Sequence, residues 1–263
     1  MKRLLLALPL LMAALPVLAQ NPPAPPAPPA PPAAAAPGAP GAAPPAPTPP
    51  VQGEVTLGYL STKGNTDSES ANATFALLWT LTHWSHQFNL AGNSASTDAL
   101  KTAEAYLAKY KGKRPFDGTK SYLFTALDWS HDRFSAYEEQ LSYSAGYGRV
   151  LIDRGRSTLN GELGAGYKES TLNDIAQTEV NEGILRAALD YTLKFTDKTG
   201  FKQSLVVESG SSNTSTEAIS ALRANLIGKV GLVISFRIKH NSSVPPGVVA
   251  TDRFTSIALA YAF

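Results

Sequence analysis

From residue 51 onward the chain alternates apolar and polar side chains in segments about ten residues long. Successive side chains of a strand point to opposite faces, so this pattern builds sheets with one apolar and one polar face. The last segment is the clearest: Ile257, Leu259, Tyr261 and Phe263 fall on one face, and Ser256, Ala258, Ala260 and Ala262 on the other. Residues 232–239 repeat it, with Leu232, Ile234, Phe236 and Ile238 against Val233, Ser235, Arg237 and Lys239. The alternation predicts twelve strands, at 53–62, 68–81, 84–95, 103–112, 120–131, 139–151, 157–169, 183–196, 200–210, 218–227, 231–240 and 252–263.

A soluble sandwich also alternates, but two features favour a membrane. The polar faces carry small residues and charges of both signs, as a packed polar lumen requires, and the apolar faces often end in aromatics, as interfacial girdles do. Strands of this length, tilted, cross a bilayer, and an even count returns the chain to the side it started from. The expected fold is all-β: a transmembrane, antiparallel, up-and-down barrel of about 12 strands over residues 51–263. With the first strand starting in the periplasm, the connections 170–182, 211–217 and 241–251 are expected to form long external loops, and 153–156, 196–200 and 228–230 short periplasmic turns.

The preceding residues have a different character. Lys2 and Arg3 precede an uncharged, apolar stretch from Leu4 to Ala19 that is too short and too poorly flanked for a membrane anchor, so it reads as a signal peptide cleaved after Ala19. Residues 20–50 are nearly all Pro and Ala, and seventeen of the chain's twenty prolines lie at or before Pro50. Such a segment favours an extended polyproline conformation of about 3.1 Å per residue, which makes it a periplasmic linker rather than a folded unit. The expected location is the bacterial outer membrane.

Composition then removes several function classes. The chain has no cysteine, which excludes disulfides, thiolate metal sites and a lipid-anchored N-terminus. A net charge of +2 gives no reason to expect nucleic acid as a partner. The expected partners are outer-membrane lipids, lipopolysaccharide and the outer-membrane assembly machinery, the last through the final strand with Tyr261 and Phe263 as its assembly signal. No cofactor is expected.

Three stretches carry a resemblance to a known family. They are Gly58-Tyr59-Leu60-Ser61-Thr62-Lys63-Gly64-Asn65-Thr66-Asp67, Asp132-Arg133-Phe134-Ser135-Ala136-Tyr137, and Gly164-Ala165-Gly166-Tyr167-Lys168. In this order they resemble the YdiY-like family of salt-induced outer-membrane proteins, a domain family without an assigned reaction. The resemblance implies an outer-membrane barrel and no established chemistry.

Few residues suggest chemistry. Gly64-Asn65 reads as a turn, with Thr66 and Asp67 bonding its amides, before it reads as an ion site at the rim. Asn173, Asp174, Glu179 and Glu182 lack the spacing of a calcium loop. His83 and His86 flank Trp84 and suit an interfacial belt; His131 is the one candidate base for a lipid hydrolase or acyltransferase. Its neighbour Ser130 must point to the opposite face, so its nucleophile would have to be a serine of the next strand, such as Ser142 or Ser144. The more informative set is the charges on predicted inner faces: Glu54, Glu162, Arg186, Asp190, Lys194, Lys202, Glu208, Arg223, Arg237 and Lys239. On the lipid face such a charge would cost about 2–4 kcal/mol at the midplane. These charges describe either a salt-bridged plug or a narrow solute path with slight anion preference. The function expected is an envelope or osmotic-stress role, with a lipid-modifying enzyme as the alternative.

Overall fold

The structure, a computed structural model, describes residues 50–62 and 67–263. The expected signal peptide, nearly all of the expected proline-rich linker and the expected turn residues Gly64, Asn65 and Thr66 lie outside the described residues. The described chain forms twelve strands: β1 Val51–Thr62, β2 Ser68–Thr80, β3 Ser85–Thr97, β4 Leu100–Pro115, β5 Ser121–Asp132, β6 Tyr137–Arg154, β7 Ser157–Leu172, β8 Glu179–Lys194, β9 Thr199–Ser209, β10 Thr214–Ile227, β11 Val230–Asn241 and β12 Thr251–Ala262. Each pairs antiparallel with its sequence neighbours, and β1 pairs with β12 to close the barrel. Both ends of the strand meander therefore share one rim, called here the near rim; the other is the far rim.

The barrel is apolar outside and polar inside. Leu57, Leu123, Leu163, Leu185, Ile257 and Leu259 are exposed, whereas Gln140, Glu162, Lys168, Arg186 and Glu208 are buried. Water would reverse this arrangement, because the hydrophobic effect drives apolar groups in and leaves charges out. A lipid environment accounts for both. A closed barrel also pairs every strand's backbone, which hydrocarbon demands.

The strands run further than the alternation predicts, and the loops shrink to match. The expected loop 170–182 becomes a tip at 173–178, because β7 continues to Leu172 and β8 begins at Glu179. The expected loop 211–217 shortens to 210–213, which brings Glu217 into β10. These polar strand ends carry no hydrophobic signal, but their backbone still finds ladder partners. Between β3 and β4 the chain turns on two residues, Asp98 and Ala99, both at positive φ (50° and 64°), the geometry of a tight type I′ hairpin. The Asp67 amide donates to Asp98 Oδ1 at 2.9 Å, tying this tip to the start of β2.

Closure depends on a size match. A Cβ on Gly53 would lie 2.0 Å from the Phe263 ring, so only glycine leaves room for that ring. Gly53 and Phe263 exchange two backbone hydrogen bonds, at 3.1 and 2.9 Å, and the Phe263 ring stacks on Phe75 at 6.5 Å. Tyr261 lies beside them, paired across strands with Val55 and Val230.

Candidate functional site

Parity fixes what faces the lumen. On β4 the bulky aromatics Tyr106 and Tyr110 point outward, which turns Lys109, Lys111 and Lys113 inward. On β7 the same logic turns Glu162, Gly164, Gly166 and Lys168 inward and Tyr167 outward, where it packs on Tyr143 at 5.8 Å. Gly164 and Gly166 of β7, with Gly146 and Gly148 of β6, leave the β6–β7 wall thinly covered there, and Phe124 and Tyr122 of β5 fill that space. A Cβ on Gly164 would lie 2.9 Å from Phe124 Cζ, and one on Gly148 of β6 would lie 2.2 Å from the Tyr122 ring.

Above these rings lies an ion network. Glu162 accepts from Lys111 Nζ at 2.8 Å and Tyr122 Oη at 3.1 Å, and it pairs with Lys113 Nζ at 3.0 Å and Arg186 Nη1 at 3.3 Å. Arg186 is 4% exposed, lies over the Phe124 ring at 5.5 Å and brings its Nε within 3.8 Å of Glu208. Glu208 in turn accepts from Lys168 Nζ at 2.7 Å and Ser142 Oγ at 3.3 Å. Asp190 lies 3.7 Å from Lys111. The half of the lumen bounded by β5–β9 is thus filled.

Two pairs cross the barrel to β10. Lys109 Nζ of β4 donates to Glu217 Oε2 at 2.7 Å, and Arg237 Nε of β11 donates to Glu217 Oε1 at 2.5 Å. Arg223 of β10 pairs with Glu54 of β1. Strands β4 and β10 are six apart in a ring of twelve, so they sit diametrically opposite. A round barrel of twelve strands spaced about 4.8 Å and tilted about 40° would hold opposite backbones about 24 Å apart. A lysine reaches about 6 Å from its Cα and a glutamate about 5 Å, so with the bond included these two backbones are at most about 14 Å apart. The cross-section is drawn in across this axis.

The two crossings frame an opening. Glu54, Ala76, Asn89 and Lys109 are cross-strand partners in one rung of β1–β4. Glu54 and Lys109 are the two ends of that rung, and each is bonded across the lumen to β10. The rung, the two ion pairs and the β10 segment 217–223 form one connected circuit of contacts beside the filled half. Asn89 in this rung is exposed, in contrast to inner-face residues such as Phe124, Ser142, Glu162 and Arg186 of β5–β8.

The far mouth is braced separately. Tyr137 Oη, at the end of the Asp132–Tyr137 motif, donates to the Ser243 carbonyl at 3.1 Å, and Lys239 Nζ donates to Gln140 Oε1 at 2.8 Å. Asp132 Oδ1 accepts the Phe134 amide at 3.1 Å, Arg133 lies 3.6 Å from Glu104, and Ala136 needs no positive φ. Glu182 accepts from the Ser212 amide at 2.7 Å and from the Ser211 hydroxyl at 3.2 Å, which holds the β9–β10 tip inward.

Of the sequence-selected charges, Glu162, Arg186, Asp190 and Glu208 meet in one network, Glu54 meets Arg223, and Arg237 meets Glu217. Lys194 and Lys202 are exposed and join no ion pair among the described residues. Lys109, Lys111, Lys113, Lys168 and Glu217 belong to the network but escaped the sequence reading. The signal for the first three was present: Lys-x-Lys-x-Lys opposite Tyr106 and Tyr110. His86 sits in an outward aromatic stack with Trp79, Trp84 and Tyr110, and its Nδ1 lies 2.9 Å from Tyr110 Oη. His131 stacks outward on Tyr106 at 6.4 Å, whereas Ser142 and Ser144 are buried on the inner face. The serine and histidine that a hydrolase would need therefore lie on opposite sides of the wall.

Residues 55–263 match the family described as "Protein of unknown function, DUF481". The chain belongs to that family. The Escherichia coli K12 protein described as "Uncharacterized protein YdiY" is 32% identical over 216 residues, which cover 81% of this chain and 83% of that protein. Among solved structures, an outer membrane channel from Pseudomonas putida F1 superimposes with a TM-score of 0.50 at 12% identity, over 81% of this chain and 95% of that one. The NanC porin superimposes with a TM-score of 0.49 at 10% identity, over 80% of this chain and 98% of that one. The fold is shared with outer-membrane barrels.

Proposed function

We propose that the protein is a non-enzymatic outer-membrane barrel that passes small polar solutes through a constricted lumen and serves the envelope under osmotic stress. The observation that carries this reading is the division of the lumen. Ion pairs fill one half, while beside the Glu54–Arg223 and Lys109–Glu217 pairs the inner-face residues Thr74 and Asn89 stay exposed, which supports an opening there. A barrel that served only as a structural element would have no need of half-exposed polar walls beside a packed plug. In this reading the near rim faces the periplasm, the lipid face meets phospholipid and lipopolysaccharide, and β12 with Tyr261 and Phe263 engages the assembly machinery. Planar-bilayer recording of the folded barrel tests the channel. Discrete conductance steps are expected; a folded barrel that stays silent overturns the reading.

A further inference from the structure

Five amide side chains face the open half of the lumen: Gln52 of β1, Asn72 of β2, and Gln87, Asn89 and Asn93 of β3. The register places them in three of four consecutive inward-facing rungs. Asn72 pairs with Asn93, Asn89 lies two rungs nearer the near rim, and Gln52 and Gln87 share the next inward-facing rung. From Asn93 to Gln87 the track covers six residues of strand, on the order of 20 Å. None of the five side chains has a hydrogen-bond partner among the described residues. Several amides elsewhere among the described residues are used by the fold. Asn173 bonds the Arg133 and Ser135 carbonyls, Asn213 bonds Asn241, and Gln140 bonds Ser170 and Lys239.

We propose that these five amides form a binding track for uncharged, polyhydroxylated solutes of the sugar class. This rests on the channel reading above and names the solute that the channel favours. Each amide offers two N–H donors and a carbonyl acceptor, which match the mixed donor and acceptor character of a hydroxyl. A neutral polyol exchanges its water hydrogen bonds for amide ones at little net cost. An ion finds no such exchange. The charges nearest the track, Glu54, Lys109 and Lys111, are each already paired with an opposite charge, so none of them offsets the ion's lost hydration.

The full chain reconstituted in liposomes provides the test, with glucose and gluconate as probes of similar size. Glucose is expected to enter several-fold faster than gluconate. Asn72→Leu, Asn89→Leu and Asn93→Leu, each near the size of the residue it replaces, are expected to slow glucose several-fold and bring the ratio toward one. Variants are compared only where heat-modifiable migration shows a folded barrel. If both probes enter equally and the variants change nothing, the track is overturned while the channel stands. If neither probe enters through a folded wild-type barrel, the channel reading falls, and the track with it.

Discussion

At the residue scale the inner wall depends on complementarity between charges and on the space glycines leave. Glu162 is 3% exposed and is held by three cations and a tyrosine hydroxyl, so removing it takes the nearest carboxylate from the buried Arg186 and the half-buried Lys111 and Lys113. Breaking a buried pair by deleting one partner costs about 3–5 kcal/mol. Glu162→Ala is therefore expected to lower the urea midpoint of the folded barrel by that much, and an unchanged midpoint would show that water neutralises the site. Gly148→Val would drive a side chain into the Tyr122 ring, and overpacking of this kind costs about 1–3 kcal/mol. Pairing it with Tyr122→Ala should recover part of that loss in the same measurement. At the β7–β8 tip, the Asp174 carboxylate accepts the Thr178 hydroxyl at 2.7 Å and its amide at 2.9 Å. Chiefly the hydroxyl bond, and then the amide bond, holds its pKa below the ordinary aspartate value. A depressed folded pKa means the contact contributes fully above the ordinary aspartate range and is lost as pH falls through the lowered value. Protection of the Thr178 amide, relative to its intrinsic exchange rate, should fall only at acid pH, and Asp174→Asn should lower it at every pH. Glu162 and Arg186 were readable as inner charges because clear apolar neighbours fixed their parity. Lys109 was harder to read: Tyr106 and Tyr110 carry its parity, but Leu107 and Ala108 on β4 blur which face is apolar and a register shift near Ala103 interrupts the count.

At the scale of strands, the twelve elements were legible because a lipid-facing wall writes its period into the sequence. Their ends were not, because polar rim residues pair through the backbone without changing hydrophobicity. That is why Glu217, the residue on which the Lys109 crossing depends, fell outside the expected tenth strand. The same scale governs closure. The Phe263 ring needs the space left by Gly53, and β1 and β12 pair over a short register, from Glu54 with Ala262 to Leu57 with Leu259. Gly53→Leu is expected to weaken this seam more than Phe263→Ala, since the first forces atoms together and the second only removes contacts. The yield of heat-modifiable barrel on refolding into detergent should rank wild type above Phe263→Ala and that above Gly53→Leu. The reverse order of the two variants would mean that closure depends on the ring itself and not on the room made for it.

At the scale of the whole barrel, the strand number sets a perimeter, and the crossings to β10 decide how it is used. A ring of twelve strands left round would be a single wide lumen; drawn in between β4 and β10, it becomes a filled half and a framed opening. If Lys109, Glu217 and Arg237 hold that shape, replacing the carboxylate with a third cation should undo it. Glu217→Lys sets like charges against one another on opposite walls, where the earlier attraction drew the walls together. The opening is expected to widen, seen as larger single-channel conductance and a shift toward anions. Glu217→Gln removes the attraction without adding repulsion, so its conductance should fall between the two. The exchange Lys109→Glu with Glu217→Lys restores a pair across the same axis and should return conductance toward the wild type, although Arg237 would then face a lysine. If the single reversal and the exchange conduct alike, the pair does not set the width, and the filled half alone must account for the constriction.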